Sequence, residues 1–315
     1  MFFKASTPGL PRQFRGKWNR KLYRVERELG RGANGIVYLA AQGGERRAVK
    51  VGSEALDILM EVNILKSLPQ GRDSQVGPLL CDVDDLVLSS GQTCTFYAME
   101  YLDGSQLDLY VQQAGRDWVP VLIAQLLSRL DVLHRHGWAF GDLKPENVIV
   151  TRPERQIRLV DFGGVTKLGC AVRQFTEEYD RAYWNAGDRR ADVGYDLFAV
   201  AVMMVRLMGE AHAWQAAVRE RRQTSSLCDI IRENGDLYPY RLPLIKAFHG
   251  KYRTAEEMRK EMLAVLRVST AAPVSAAAAS PGPHAGRGAG NRWIDILFVA
   301  SLLLLAGTLY YAWFL

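Results

Sequence analysis

The sequence predicts an α+β chain of two lobes, a small antiparallel-sheet lobe and a larger helical one, followed by a C-terminal transmembrane helix. Three observations carry this. Strand-like runs flanking a single helical stretch fill residues from about 20 to 100. Beyond about 105 the apolar spacing becomes helical, with Leu122, Leu126, Leu130 and Leu133 at intervals of 4, 4 and 3. From Ile296 to Leu315, twenty consecutive residues carry no charge. Such a run rises about 30 Å as a helix, the thickness of a bilayer's hydrocarbon core.

In order along the chain, residues 1–19 read as a basic N-terminal arm and 20–104 as the sheet lobe with its exit hinge. Residues 105–268 read as the helical lobe, 269–292 as an Ala/Pro/Gly-rich linker and 293–315 as the spanning helix. A length of 315 residues suits one two-lobed domain of about 250 residues with appendages. In the first lobe, Gly35–Ala40 and Arg47–Val51 are strand-like, and a helix is expected from about Ser53 to Leu68. Ile58, Val62 and Leu65 share its apolar face, beside Glu61. Leu197–Val205 is apolar all round and reads as a buried central helix, too short to cross a bilayer. The linker has no apolar period and reads as a flexible tether. Trp293, Tyr310, Tyr311 and Trp313 stand where interfacial aromatics are expected, with Asp295 in the headgroup zone.

The net charge of +6 is unevenly spread: residues 1–31 hold nine Lys/Arg against two Glu, which leaves the body slightly acidic. Cys81, Cys94, Cys170 and Cys228 form no C-x-x-C pair and read as reduced thiols of a cytosolic domain. The N-terminus lacks an apolar h-region, so no signal peptide is expected. His134 and His136 read as a helix end, where imidazoles meet the last carbonyls, rather than as a metal pair.

The chemistry concentrates in Phe140-Gly141-Asp142-Leu143-Lys144-Pro145-Glu146-Asn147, with Asp161-Phe162-Gly163 beginning fourteen residues after Asn147. Asp-x-Lys-x-x-Asn suits a turn that aims Asp142 at a substrate hydroxyl, Lys144 at a transferred phosphate and Asn147 at a metal. Asp161 adds a charged oxygen ligand for the Mg2+ that bridges nucleotide phosphates. Upstream, Gly30, Gly32 and Gly35 make a G-x-G-x-x-G-x-V hairpin whose backbone approaches phosphates closely. A dinucleotide-binding fold would need a helix directly after Gly35, and the β-rich Ile36-Val37-Tyr38-Leu39 excludes it. Lys50 fits the strand lysine that pairs with the α/β phosphates. Glu61, eleven residues on, fits the helix carboxylate that holds it, with Glu54 as the alternative partner.

These motifs, in this order, resemble the eukaryotic-like (Hanks-type) serine/threonine protein kinases from about residue 20 to 268. Lys144, two residues after Asp142, resembles the serine/threonine rather than the tyrosine subfamily. Longer segments are similar to YabT-type membrane kinases of spore-forming bacteria: Lys17-Trp18-Asn19, the Gly-rich loop, Gly141–Lys144 and Tyr195–Ala201. The resemblance implies a protein-kinase fold, ATP and Mg2+ as cofactors, protein Ser/Thr hydroxyls as substrate and a role in sporulation. It implies a nucleotide site walled by Val37 and Ala48, with Met99 as gatekeeper and backbone bonds to adenine at Glu100 and Leu102. It further implies a cell-membrane location, single-pass and C-terminally anchored, with the kinase in the cytoplasm where ATP is.

The chain also departs from the family pattern. Phe140 and Gly141 replace His and Arg before the catalytic Asp, so a phosphorylated activation segment has no partner there. The Ala-Pro-Glu anchor is absent, and Ala182–Asp188 occupies its place. Arg253 resembles the arginine that pairs with the missing Glu, with Asp188 as the candidate substitute. Asp196 fits the carboxylate that braces the catalytic loop. Competing readings are a nucleotide-binding scaffold without activity and a small-molecule phosphotransferase. Thr166 and Thr176 are candidate phosphosites, modified in trans within a transient homodimer, and Thr176→Ala is expected to keep much of its activity. Lys4, Arg12, Arg15, Lys17, Arg20, Lys21, Arg24, Arg27 and Arg31 form a candidate polyanion site for DNA or anionic lipid.

Overall fold

The computed structural model describes residues 10–271 except 33, 53, 70 and 72–74. The expected spanning helix and all but the first residues of the linker lie outside the described residues. Among the described residues, no helix is long and apolar enough to cross a membrane.

The first lobe is a six-stranded antiparallel sheet. Its strands are β1 (Gln13–Arg15), β2 (Leu22–Gly32), β3 (Gly35–Gln42), β4 (Glu45–Val51), β5 (Leu80–Val87) and β6 (Thr93–Glu100), in the order β1-β2-β3-β4-β6-β5. Register decides which side chains meet. Lys50 lies opposite Val37 on β3 and Tyr97 on β6, while Ala48 lies opposite Leu39 and Met99. Because side chains alternate along a strand, these six residues share one face, which turns toward the second lobe. The opposite face carries Ile36, Tyr38, Ala40, Val49, Val51, Phe96 and Ala98, packed in a separate apolar cluster with Phe14 and Tyr23. The Phe14 and Tyr23 rings stack at 5.1 Å, with Phe96 edge-on to both. Helix α1 (Ala55–Ser67) buries Ile58, Glu61, Val62, Ile64 and Leu65, within two residues of the expected bounds.

The basic arm needs correction. From residue 10 onward it belongs to the sheet lobe: β1 pairs with β2, and Phe14 is buried. The turn between them is fastened by the β5 carboxylates. The Asp84 side chain accepts from the backbone N–H of Trp18 and Asn19, and Asp82 accepts from the Asn19 amide at 2.5 Å and the Tyr23 hydroxyl at 2.6 Å. The sequence hides this strand because basic residues surround it, while Phe14, the buried side chain of β1, gives no period.

Beyond the hinge come β7 (Gly104–Gln106), α2 (Leu107–Ala114) and α3 (Val119–Arg135). Pro120 in the first turn of α3 suits a position where no intrahelical N–H bond is needed. Leu122, Leu126, Leu130 and Leu133 are fully buried, as their spacing predicts. The catalytic-loop sequence lies between β8 (Trp138–Ala139) and β9 (Val148–Thr151), and β10 (Ile157–Leu159) leads into Asp161. The sheet β10-β9-β7 and the pair β11 (Thr166–Lys167) with β8 hold these turns in place. Helix α4 (Val193–Met208) is the buried central helix: the Asp192 side chain caps it by accepting from the Tyr195 N–H, and Leu197–Val205 is wholly buried. Helices α5 (Ala211–Ala216), α6 (Thr224–Glu233), α7 (Arg241–Phe248) and α8 (Ala255–Ala271) complete the lobe.

Candidate active site

Lys50 Nζ donates to both carboxylate oxygens of Glu61 at 2.7 Å and to Asp161 Oδ1 at 2.8 Å. Glu61, not Glu54, is therefore the lysine's partner. Its other donor is Tyr97, whose hydroxyl lies 2.8 Å from Oε2. Sequence reasoning missed Tyr97, although it is the β6 residue directly opposite Lys50. Burial opposes the charge on Lys50, but the Glu61 and Asp161 carboxylates outweigh it and hold the ammonium above its ordinary value. Burial acts to raise Asp161 as well, yet the Lys50 ammonium and the Gly163 N–H hold it below the usual carboxylate range. Burial pushes Glu61 up, and Lys50 and Tyr97 hold that rise in check. Tyr97 itself, raised by burial and by Glu61, stays a hydroxyl donor. The carboxylates differ in access: the Glu61 side chain is 2% exposed and the Asp161 side chain 44%. Glu61 is locked on the lysine, whereas Asp161 faces the cleft.

Asp161 sits at φ 61°, a left-handed conformation uncommon for a carboxylate residue and typical of strained functional sites. On the loop above, Gly35 has φ 140°, and a Cβ there would lie 2.1 Å from the Val51 carbonyl oxygen, so a glycine is required. Gly30 and Gly32 end the facing strand β2 and are exposed. At the hinge Met99 is buried, and the Glu100 carboxylate is engaged behind the cleft. It accepts from Arg158 at 2.7 Å and from the Leu79 N–H at 3.1 Å. Arg158, also donating to the Gly77 carbonyl, is a hinge brace that no motif signals.

On the helical side, Lys144 Nζ lies 2.8 Å from Asp142 Oδ2, and the Asn147 amide nitrogen donates to the Asp142 carbonyl at 2.9 Å. Asp196 braces this turn as expected, accepting from the Phe140 N–H at 2.7 Å and the Gly141 N–H at 2.9 Å. His134 joins it, with Nε2 2.8 Å from Asp196 Oδ2, which gives that helix-end imidazole a place in the loop's support. Gly141 has φ 81°, and a Cβ there would stand 2.8 Å from the Gly164 carbonyl oxygen.

Three expectations for the activation segment change. Thr166 is buried, and its hydroxyl donates to the Gly164 carbonyl at 2.9 Å, so it is not presented for phosphorylation in this conformation. Thr176 belongs to the active site: its hydroxyl donates to Asp142 Oδ1 at 2.8 Å and accepts from Lys144 Nζ at 3.1 Å. A phosphate there would displace both contacts, and Thr176→Ala would remove a tie to the catalytic-loop carboxylate. Asp188 does not substitute for the missing anchor through Arg253. It pairs with Arg181, which also binds the Asp192 carboxylate at 2.8 Å through two nitrogens. Beside it, fully buried Asp180 accepts from Arg189 at 2.7 Å and from the Tyr195 hydroxyl at 3.0 Å. These two clusters tie residues 180–192 to the start of α4, where Ala-Pro-Glu would otherwise act.

A cleft that assembles these groups between a sheet lobe and a helical lobe defines the class. The model of the protein kinase domain matches residues 23–271, and the chain belongs to the protein kinase family. It is similar to serine/threonine-protein kinase YabT of Bacillus subtilis (strain 168), with 46% identity over 250 residues that span 79% of this chain and 73% of that protein. It is also similar to serine/threonine-protein kinase SBK1 of Mus musculus, 30% identical over 62% of this chain and 49% of the other. Among solved structures, vaccinia related kinase 3 superposes with a TM-score of 0.59 at 15% identity, over 85% of this chain and 94% of that one, a likeness of fold. The protein is a serine/threonine protein kinase.

Proposed function

We propose that this kinase transfers the ATP γ-phosphate to protein Ser/Thr hydroxyls while tethered to a membrane by residues 293–315. The observation that carries the chemistry is the Thr176 hydroxyl 2.8 Å from Asp142 Oδ1, with the Lys144 ammonium on the other carboxylate oxygen. That is the reach a general base needs to orient an alcohol. An acceptor hydroxyl approaching Asp142 would meet the same pair: Asp142 orients it and takes its proton, and Lys144 neutralises charge on the phosphate in flight.

The residues present fit ATP and Mg2+. Asp161 offers a carboxylate open to the cleft and Asn147 an amide oxygen, both hard ligands suited to Mg2+. When bound, the ion would neutralise charge building on the phosphate oxygens. Lys50 would hold the α/β phosphates, Gly30, Gly32 and Gly35 would let backbone close over them, Val37 and Ala48 would line the adenine pocket, and Glu100 and Leu102 would bond adenine through backbone. Asp142→Asn is expected to keep ATP affinity while lowering phosphotransfer to a protein substrate roughly 10²–10⁴-fold, measured in a single turnover. Parental activity in that variant would defeat the assignment.

The uncharged run at 296–315 supports a single-pass anchor with the kinase on the cytoplasmic side, and likeness to spore-former kinases supports a role in sporulation. Protease added to intact cells should leave the kinase domain uncut; cleavage would reverse the orientation. Polyanion activation is supported by the region of β1, β2 and their turn, where Arg12, Arg15, Lys17, Arg20, Arg24 and Arg27 are exposed, as is Trp18 at 71% with the Lys17 ammonium over its ring. Polyanions would gather molecules for transient contact and phosphorylation in trans. With about four phosphates neutralised, binding to duplex DNA should weaken about a hundredfold from 50 to 200 mM salt. Activity unchanged by duplex DNA or anionic vesicles would remove this element.

A further inference from the structure

Four consecutive side chains of the activation segment each reach a different working part of the kinase. Arg173 extends to α1, with Nη2 3.5 Å from Asp57 Oδ1 and Nη1 3.3 Å from Met60 Sδ. Gln174 Nε2 donates to Asn34 Oδ1 at 2.8 Å, on the Gly-rich loop. Phe175 lies under the Arg189 guanidinium, 4.0 Å from its ring centre, and Arg189 in turn holds buried Asp180. Thr176 closes on Asp142 and Lys144. Behind them the segment is zipped to residues 189–191: Gly169 N–H to Ala191 O, Ala191 N–H to Cys170 O and Val172 N–H to Arg189 O, all at 2.8 Å.

The Asn34 contact matters most for the cleft. Its side chain is buried although it belongs to a loop tip, and it lies against Gly163, where a Cβ would come within 2.1 Å of its amide nitrogen. The loop over the phosphates, the glycine after Asp161 and the activation segment therefore meet at one amide. Asp57 and Met60 stand on the helix that carries Glu61, four and one residues before it. Whatever fixes Arg173 and Gln174 thus bears on two parts of the candidate ATP site, the helix that presents Glu61 and the Gly-rich loop. Gly141 puts no cation before Asp142 to read a phosphate on this segment, and the loop's own Lys144 is already engaged by Asp142 and the Thr176 hydroxyl. Uncharged Gln174 and the Arg173 bridge make the connection without a phosphate.

We propose that Arg173 and Gln174 are positioning residues that hold α1 and the Gly-rich loop in the working arrangement, so that phosphorylation of the activation segment is not required for activity. The proposal rests on the kinase reading of Lys50 and Asp142. Both act through other residues: Arg173 through α1 on Glu61, and Gln174 through Asn34 on the loop.

The test uses full-length protein in detergent, treated with a phosphatase until mass spectrometry finds no phosphate between residues 161 and 192. Initial rates on a separate peptide substrate are then compared with those of untreated enzyme. The phosphate-free parent is expected to match the untreated one within about twofold. In that background, Arg173→Ala with Gln174→Ala should lower kcat/KM for ATP roughly five- to twentyfold, as loss of a partly buried hydrogen bond and a partly exposed ion pair would. The KM for peptide and the unfolding midpoint should stay unchanged, which a merely structural role would not produce. Arg173→Lys should recover part of the loss, and Arg173→Ala should be less than additive with Asp57→Ala. A phosphate-free parent tenfold or more below the untreated enzyme would overturn the proposal, as would a double variant with parental kcat/KM or full additivity with Asp57→Ala. Asp142→Asn run alongside separates the two levels, since parental activity there would sink the chemistry and this proposal with it.

Discussion

Two charged clusters, one in the cleft and one at the foot of the activation segment, pair cations with carboxylates in opposite ways. In the cleft, Lys50 and Glu61 are almost wholly dry, and a phenol completes their bonding. At the foot, Asp180 is just as buried, but its partner Arg189 is half in water, and Arg181 binds carboxylates of which Asp188 is 76% exposed. A dry pair is rigid and intolerant, because removing one member strands the other without solvent. A wet cluster holds position by several weak ties, each screened and replaceable. The first lines the cleft, and the second fastens residues 180–192 to the start of α4.

The largest expected effect is on the dry side. Lys50→Met should lower the unfolding free energy by about 3–5 kcal/mol by leaving Glu61 buried without its cation, and chemical denaturation would measure it. A loss no larger than that of a surface substitution would erase the contrast. At the foot, Asp180→Asn should cost about 1–3 kcal/mol, since Tyr195 keeps an acceptor there and Arg189 turns to water. If Asp180→Asn cost as much as Lys50→Met, the foot would have to be regrouped with the cleft.

Thr176→Ala links the two regions and is expected to lower kcat about tenfold while leaving KM for ATP in place, the loss of one positioned hydrogen bond. Thr176→Ser should restore most of it; equal activity in all three would make the contact incidental. The smallest effect expected is on pH dependence. The Asp161 carboxyl is held below its ordinary value, so its contribution to stability is complete above about pH 4 and is lost as pH falls through the lower folded value. Glu61, pushed up by burial, acts in the opposite sense, its share fading as pH rises through its raised value. Asp161→Asn should therefore flatten the acid limb of melting temperature against pH, and an unchanged limb would show that Lys50 does not hold that carboxylate charged.

The legibility of the two clusters differs for a physical reason. Lys50, Asp142, Asn147 and Asp161 stand at fixed spacings because each rides a short turn or strand whose geometry is local, and Glu61 follows from the apolar face of one helix. Tyr97 comes from strand register and Arg158 from β10 passing behind the hinge, which spacing along the chain does not encode. Thr176 reaches Asp142 from 34 residues away through irregular backbone. The sequence points Asp188 toward Arg253 because residues 177–192 have no period, whereas the fold pairs it with Arg181, seven residues away. The β1 strand was hidden inside a basic stretch for the same lack of period.

Asp196 has a consequence that amide exchange can read. The Phe140 and Gly141 amides donate to a carboxylate rooted in α4, the most apolar helix of the second lobe. Their exposure to deuterium then requires that helix to move, so these loop amides should exchange as slowly as core amides, on the timescale of global opening. The amides of Gln174 and Phe175, held by side-chain ties at the surface, should exchange far sooner. In such a molecule the catalytic-loop turn belongs to the last part to open, and the exposed activation segment to the first.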